Sequence, residues 1–383
     1  MDSNRSILPP QQSRILQLLR TAGPLSRWQV HKRTRLRPNT VGEHVAELLD
    51  LGLVREQLAE ARGPGRPRVP VSVDPSRRHV VGAAIRPGHV EACRLNLRGH
   101  VLGRVATRTV AQPAETITTL QNLLGKVVND QTFVIGLSTT GFLDTDGRRI
   151  LFSSALPGQH AVSLDPLFDV TGNTSVVVEN DMHALAARWA QEHHQQLDED
   201  VLLVYFDDGE LGSALLVRGE PNRGCLIGGN ELGHTRLPVE TARCYCGHTG
   251  CLERILSTEF LEGMGASGGT LLERVVHFDG GDPAMDRMIE LLALGLANPI
   301  NFIRPHRVVL VSQYARYQPF MTALLREIRS RVMIELVGRV QFHHWDQAAA
   351  ATAETAGWLG LAAVYYPNFS RATHIPSAAV EAP

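Results

Sequence analysis

Apolar residues recur at helical spacing from the first turns of the chain. Ile15, Leu16, Leu18 and Leu19 give the stretch after Ser13 an apolar stripe, and "AGP" at 22–24 stops it. Ser26 suits the N-cap of a short second helix running to about Arg33. A tight turn with Leu36 follows. Pro38 fits the first turn of a third helix, whose Val41, Val45, Leu48 and Leu49 share a face. Gly52 ends that helix. Residues 53–58 and 69–73 then read as two strands joined by the loop "AEARGPGRPR". Three helices and a hairpin predict a winged helix-turn-helix, in which the third helix enters the DNA major groove N-terminus first.

The pattern then changes character. The stretch 77–110, "RRHVVGAAIRPGHVEACRLNLRGHVLGRVATRTV", predicts two or three antiparallel strands with glycine turns. A helix over about 113–129 follows, then a strand "TFVIGLSTTG", then a strand "TSVVVEND" running into a helix "MHALAARWAQE". At 200–220 the pattern restarts with "DVLLVYFDDGELGSALLVRGE" as strand, turn and strand. Two halves that each open with a meander and add helix-linked strands predict a duplicated α/β fold with a cleft between lobes. The alanine-rich "DQAAAATAETAGWLGLAAVYY" reads as a buried closing helix. No shorter repeat is visible.

Composition narrows the class. With 383 residues, 43% apolar and 20% charged, the chain is long enough for two or three globular domains. The start has no apolar signal region and no run of 18 apolar residues occurs, so neither a signal peptide nor a membrane span is expected. Five cysteines, an odd number, give no disulfide framework and favour a reducing cytoplasm. The net charge of −1 hides an asymmetry. Residues 1–70 carry twelve Lys and Arg against six Asp and Glu, whereas the rest of the chain carries 26 against 33. A basic module that touches nucleic acid, joined to an acidic body, is the reading this supports. Arg35, Arg37, Asn39, Thr40 and His44 are the residues expected to face base edges or phosphates. Arg62, Arg66 and Arg68 on the wing are expected to follow a backbone or a narrow minor groove. The bland alternative is a helical cap with solvated arginines; charge, helix lengths and wing together favour DNA.

The densest chemistry lies in "GHTRLPVETARCYCGHTGCLE", residues 233–253, directly after "GCLIGGNELGH". Three of the five cysteines fall within eight positions. His234, Cys244, Cys246 and Cys251 offer one imidazole and three thiolates, a complete tetrahedral set for structural Zn2+ at loop spacing. Metal there would tie down the loop and add folding free energy. Four protein ligands leave no open position, so the metal is expected to scaffold and not to catalyse. A chance cluster, or a disulfide between two of the thiols, is the alternative. His248 is a spare candidate ligand, and Cys93 and Cys225 show no partner pattern.

The winged helix, the stretch "VVVENDMHALAARW" and the segment "RGCLIGGNELGHTRLPVETARCYCGHTGCLE" together resemble the ROK family of repressors, open reading frames and sugar kinases, over about residues 13–365. The resemblance implies an actin-like, hexokinase-like (ribonuclease H-like) two-lobed α/β fold behind a winged helix-turn-helix. Residues 1–74 would form the DNA-binding domain and 75–383 the effector domain, with lobes of about 75–190 plus the C-terminal helix and about 191–350. The family's pattern makes His234 the zinc ligand in preference to His248. In it, that histidine uses one ring nitrogen for zinc and turns the other towards a sugar hydroxyl. Carried over by motif, Glu231, His234 and Glu253 would bind sugar, joined by Asn180 and Asp181 of "END". Several convergent carboxylates and amides are what a polyol requires.

Asp181 also matches the position of the general base in the family's kinases. The phosphate-binding turns depart from the family's pattern. "GAAIRPGHV" has Ala84, Arg86 and Pro87 in place of an aspartate-glycine turn. "DDGELGS" puts Asp208 and Glu210 where two glycines sit, and "VLVSQYAR" replaces a Gly-Gly turn with Ser312 and Gln313. "SSALPGQH" also lacks the Asn and Trp that flank "LPG" in the family. The expectation is a transcriptional regulator of carbohydrate metabolism, a repressor without ATP-dependent catalysis, acting as a homodimer or homotetramer on operator DNA in response to a sugar or sugar derivative. Two readings stay open beside it: an active ATP-dependent sugar kinase, and a regulator controlled by a protein partner.

Overall fold

The first apolar stripe forms helix α1 (Pro10–Ala22), which buries Ile15, Leu16 and Leu19. The structure, a computed structural model, describes residues 7–58, 69–193, 198–224, 229–266, 268–347, 352–366 and Thr373. After α1 a two-residue strand β1 (Leu25–Ser26) leads into α2 (Arg27–Thr34). Ser26 and Gln29 close a reciprocal capping box there, satisfying backbone N–H groups at the helix start. Arg35 stops α2 in the left-handed region, with φ 61°. α3 (Pro38–Asp50) begins at a proline and buries Val41, Val45 and Leu48. Strands β2 (Val54–Glu56) and β3 (Pro70–Val73) are shorter than the sequence pattern suggests, and the small sheet runs β1-β3-β2.

A larger sheet follows. Strands β4 (His79–Arg86), β5 (His89–Asn96) and β6 (Val101–Thr109) form an antiparallel meander. A 3-10 turn at Pro113–Glu115 precedes α4 (Thr116–Val127), where the sequence predicts one continuous helix. Pro113 and Thr116 account for that, since the chain tightens before the α-helical repeat begins. β7 (Thr132–Thr139) comes next. The short strands β8 (Phe142–Leu143), β9 (Arg149–Phe152) and β10 (Val162–Ser163) make a side sheet, followed by α5 (Asp165–Asp169). β11 (Ser175–Asn180) then runs straight into α6 (Asp181–Glu192). The main sheet is ordered β11-β7-β4-β5-β6, with β11, β7 and β4 parallel.

The plan then repeats. Strands β12 (Val201–Asp207), β13 (Glu210–Val217) and β14 (Glu220–Asn222) form a second meander. Three short helices, α7 (Leu252–Ile255), α8 (Thr258–Gly263) and α9 (Leu271–Val276), lead to the long α10 (Pro283–Ile303). β15 (Arg307–Val311), α11 (Gln318–Arg329), α12 (Ile334–Val337) and β16 (Gln341–Trp345) complete a sheet ordered β14-β13-β12-β15-β16. Both sheets thus place the first meander strand at the centre, two antiparallel strands on one side and two parallel strands on the other. The core of the second unit is Leu, Met, Ile and Phe from α10, α11 and the sheet, including Met288, Leu292 and Phe320.

The last helix, α13 (Ala353–Tyr365), returns to the first sheet. The chain accordingly divides into one compact unit of Met1–Gln191 with Ala351–Pro383, and another of Glu192–Ala350. Every residue of α13 except Glu354 is buried. It lies unusually low on β4 and β7. A Cβ on Gly82 would fall 1.9 Å from the Ala353 carbonyl oxygen, and one on Gly136 would fall 1.9 Å from that of Ala356. The helix contributes its own Gly357 and Gly360 to the same seam. None of the described helices is long and apolar enough to cross a membrane.

This seam makes a specific prediction. Gly136→Ala should destabilise the first unit by about 1–3 kcal/mol or more, because the helix must lift off the sheet. Gly125→Ala, in open space on α4, should be neutral or stabilising by about 0.5–1 kcal/mol. Urea unfolding midpoints of the two variants check this.

Candidate functional site

The cysteine-rich segment is a loop closed at its base by backbone bonds. Leu237 N–H donates to Gly250 O at 2.8 Å, Leu252 N–H to Thr235 O at 3.0 Å, and Arg236 bridges Cys251. At its tip, Cys244 N–H reaches His248 O and Gly247 N–H reaches Cys244 O, which folds the cysteines back on themselves. His234 enters from a 3-10 turn at Leu232–His234. The ligand atoms of His234, Cys244, Cys246 and Cys251 lie within 4.8 Å of one another. Cys246 and Cys251 sulfurs are 3.5 Å apart, and Cys244 Sγ is 3.6 Å from His234 Nδ1. All three cysteines are free thiols. A zinc ion with bonds of 2.0–2.3 Å spaces its ligands by about 3.5–3.8 Å, which the Cys246–Cys251 and Cys244–His234 spacings match, and the donor set suits that ion in kind.

His248 Nδ1 lies 3.8 Å from Cys246 Sγ and outside the four-residue group. Cys93 is buried in β5, where burial pushes its thiol up to about 12. Cys225 falls outside the described residues.

Electrostatics follow from burial. It lowers the pKa of His234, which favours a neutral, ligating imidazole. Burial, then a hydrogen bond to Glu253, raises the Cys244 thiol. At Cys246 burial works in the same direction, but hydrogen bonds from the His248 backbone and ring and from the neighbouring thiols outweigh it and bring the pKa down to about 7. Burial pushes the Glu253 carboxyl up to about 7.

Glu231, His234 and Glu253 are brought together by the same loop. Nδ1 of His234 faces Cys244 and lies 3.7 Å from Glu253 Oε1, while Nε2 lies 3.8 Å from Glu231 Oε2. Cys244 Sγ donates to Glu253 Oε1 at 2.9 Å. Tyr245 adds a residue that the sequence did not single out. Its half-exposed ring stands edge-on to His234, centroids 5.0 Å apart, and its hydroxyl bonds to Glu253. Its position between two ligand cysteines was the only available signal.

Asn180 and Asp181 belong to the first unit, at the junction of β11 and α6. Asn180 Oδ1 accepts from Met182 N–H at 2.8 Å and Nδ2 donates to Gly141 O at 2.8 Å. Its amide therefore caps α6 and pins the β7–β8 turn. Asp181 Oδ1 accepts from Met182 N–H at 2.9 Å, which puts its carboxylate at the positive end of a twelve-residue helix.

The turns expected to have lost phosphate binding carry structural bonds. In the first, Arg86 pairs with Glu91 at 3.1 Å. In the β12–β13 turn, both oxygens of Asp207 accept from Gln313 Nε2, at 2.9 and 2.8 Å. Asp208 accepts from the backbone and hydroxyl of Thr258, at 2.7 and 2.5 Å, and so adds to the capping of α8, whose N-cap residue is Ser257. Ser312 caps the turn that holds Gln313.

In the N-terminal module, Arg37 and Asn39 are exposed at the start of α3, Arg35 is exposed between α2 and α3, and Thr40 is half-buried. His44 is more engaged than the sequence indicated: its Nδ1 lies 3.1 Å from Glu47 Oε2, which also accepts from Gln12. The wing residues Arg62, Arg66 and Arg68 fall outside the described residues.

Paired sheets of this strand order, with a helix-linked second half, define an actin-like, hexokinase-type fold. A family model described as "ROK family" matches residues 83–366, and the chain belongs to that family. It is 26% identical over 264 residues to an N-acetyl-D-glucosamine kinase of Photobacterium profundum, covering 63% of this chain and 85% of the kinase. It is 23% identical over 261 residues to the DNA-binding transcriptional repressor Mlc of Escherichia coli, covering 64% of this chain and 62% of the repressor. The match to that repressor thus spans less than two thirds of the repressor's length. Among solved structures, a ROK family transcriptional regulator described as a homologue of E. coli Mlc superposes with a TM-score of 0.75 at 19% identity, over 94% of this chain and 96% of that one.

The Asp208 cap is testable. Asp208→Ala should cost about 0.5–2 kcal/mol of stability, and Asp208→Asn, which keeps an acceptor, should cost less. Urea unfolding of both variants gives the comparison.

Proposed function

We propose that this protein is a sugar-responsive, DNA-binding transcriptional regulator, a repressor of carbohydrate metabolism that does not transfer phosphate. The observation that carries the reading is the acidic β12–β13 turn, where Asp208 and Glu210 stand at the positions of two glycines that a nucleotide's phosphates would need, with Asp207 beside them. Anionic side chains there repel a triphosphate, and their bonds to Gln313 and Thr258 give them a structural task instead. The likeness to both a repressor and a kinase fits a body that has kept the fold while changing the chemistry.

Residues 1–74 are the proposed DNA-binding domain, a winged helix-turn-helix with α3 in the major groove. Arg37 and Asn39 are assigned to base edges; Arg35, Thr40 and His44, with Arg62, Arg66 and Arg68 of the proposed wing, complete the assigned contacts. Residues 75–383 are the proposed effector domain, with lobes of about 75–190 plus the C-terminal helix and about 191–350. In its second unit, Glu231, His234 and Glu253 offer acceptors and a ring nitrogen to sugar hydroxyls; in the first, Asp181 and Asn180 do so, with Asn180 also holding the helix end. His234, Cys244, Cys246 and Cys251 hold a structural zinc, which fixes the loop that presents Glu231 and Glu253. A homodimer or homotetramer in the cytoplasm would read a two-fold operator, since symmetry doubles a short half-site.

An active ATP-dependent kinase is the second reading. Asp181 favours it, standing at the head of α6 where the family's kinases keep their base.

Two outcomes are expected. Elemental analysis should find one zinc per chain, absent or strongly reduced in Cys246→Ser; no zinc in the wild type, or full occupancy in the variant, contradicts the ligand set. Selection from random DNA should recover a two-fold site. Arg37→Ala should weaken binding to it and Asn39→Ala should relax its base preference, each by about 1–3 kcal/mol. A chain lacking residues 1–74 that binds the selected DNA as tightly as the full chain overturns the reading.

A further inference from the structure

Arg20 lies in the last turn of α1 and turns inward, within the first unit. Its guanidinium carbon is 5.1 Å from the ring centroid of Trp358 and 4.6 Å from that of Tyr365, both on α13. Its Nη1 donates to Oε1 of Gln191 at 2.6 Å, in the last turn of α6. These partners are two rings and a neutral amide. Such a grip holds only while rings and amide keep their positions.

Each partner is itself fixed. Gln191 is buried, and its Nε2 donates to the carbonyls of Ala187 at 3.0 Å and Trp358 at 2.8 Å, joining α6 to α13. The Tyr365 hydroxyl donates to Leu97 O at 2.7 Å. Trp358 is 6% exposed and packs directly on Gly99. A second tether holds the module from the other side: Arg78 donates to Leu51 O at 3.0 Å, just past α3, and to Asp130 O at 2.7 Å in the body.

The helix that carries Gln191 starts at Asp181, about 15 Å away along its axis. Met182, Leu185 and Trp189 bury its inner face. We propose that Arg20, gripped by Gln191, Trp358 and Tyr365, is a latch through which α6 sets the position of the DNA-binding module, so that events at Asp181 are read by α1 to α3. Arg78 is the pivot and Arg20 the movable hold. The proposal rests on the assignment of Asp181 to a sugar under the proposed function. Its physical content is a contact with two states, held and released, whose balance both ends of α6 bias.

The test uses full-length protein carrying Arg20→Met, which keeps the stem and removes the charge. Arg14→Met, at an exposed position on the same helix, is the control, and Arg20→Lys the conservative variant. Amide hydrogen exchange of α1 should speed up about tenfold in Arg20→Met, less in Arg20→Lys, and remain unchanged in Arg14→Met. With a DNA fragment selected by the wild type and N-acetyl-D-glucosamine as the sugar probe, the sugar-induced change in DNA affinity should largely disappear in Arg20→Met. The thermal shift produced by the sugar should persist. A full sugar response in Arg20→Met, or unchanged exchange in α1, overturns the latch. If the wild type shows no sugar response, the sugar assignment fails, and exchange alone then decides: faster α1 exchange supports the latch and unchanged exchange overturns it.

Discussion

A helix can lie with its backbone against a sheet only where neither surface carries a side chain. Gly82 and Gly136 on the sheet, facing Gly357 and Gly360 on α13, supply that condition. The position of α13 then determines what surrounds it. Trp358 comes down on Gly99, Tyr365 reaches the Leu97 carbonyl, and the Trp358 carbonyl becomes an acceptor for Gln191 of α6. The N-terminal module rests on the ring faces so exposed, through Arg20. A single methyl group in the seam would disturb all of these at once, because close-packed interiors transmit displacement instead of absorbing it.

The second unit is organised by a different constraint. Its loop from residue 235 to 252 reaches the core through Leu237 and Leu252 and is closed at its base by backbone bonds. Backbone bonds at the loop's base bring three thiols and an imidazole together, and the proposed zinc would hold what those bonds leave loose. On the proposed function, the same unit keeps a kinase-like fold and parts from kinase chemistry. Carboxylates in the β12–β13 turn are tied to Gln313 and Thr258, so they steady α8 and the segment after β15.

Features with a regular period or a fixed spacing were legible in the sequence. The stripe of α1, the proline start of α3, the two meanders and the buried α13 all follow from short-range pattern. So does the His-Cys-Cys-Cys cluster, because loop ligands must be near in sequence to be near in space. Contacts between distant segments left no such trace. Arg20 and Gln191 are 171 positions apart, and nothing in "LLRTAG" marks that arginine as an inward one. Tyr245 gained its place only when the loop folded it against His234. The Asn180 amide is bonded at both ends, and Glu47 stands one helical turn on from His44 and holds its ring, commitments that residue type does not announce.

On the proposed function, this body senses a sugar and no longer phosphorylates one. The most direct measurement follows DNA occupancy and ADP release in one sample, as sugar is titrated in the presence of MgATP. Occupancy is expected to change with sugar while ADP stays at the sugar-free background. Sugar-dependent ADP release over many turnovers, with DNA occupancy unchanged, would contradict it.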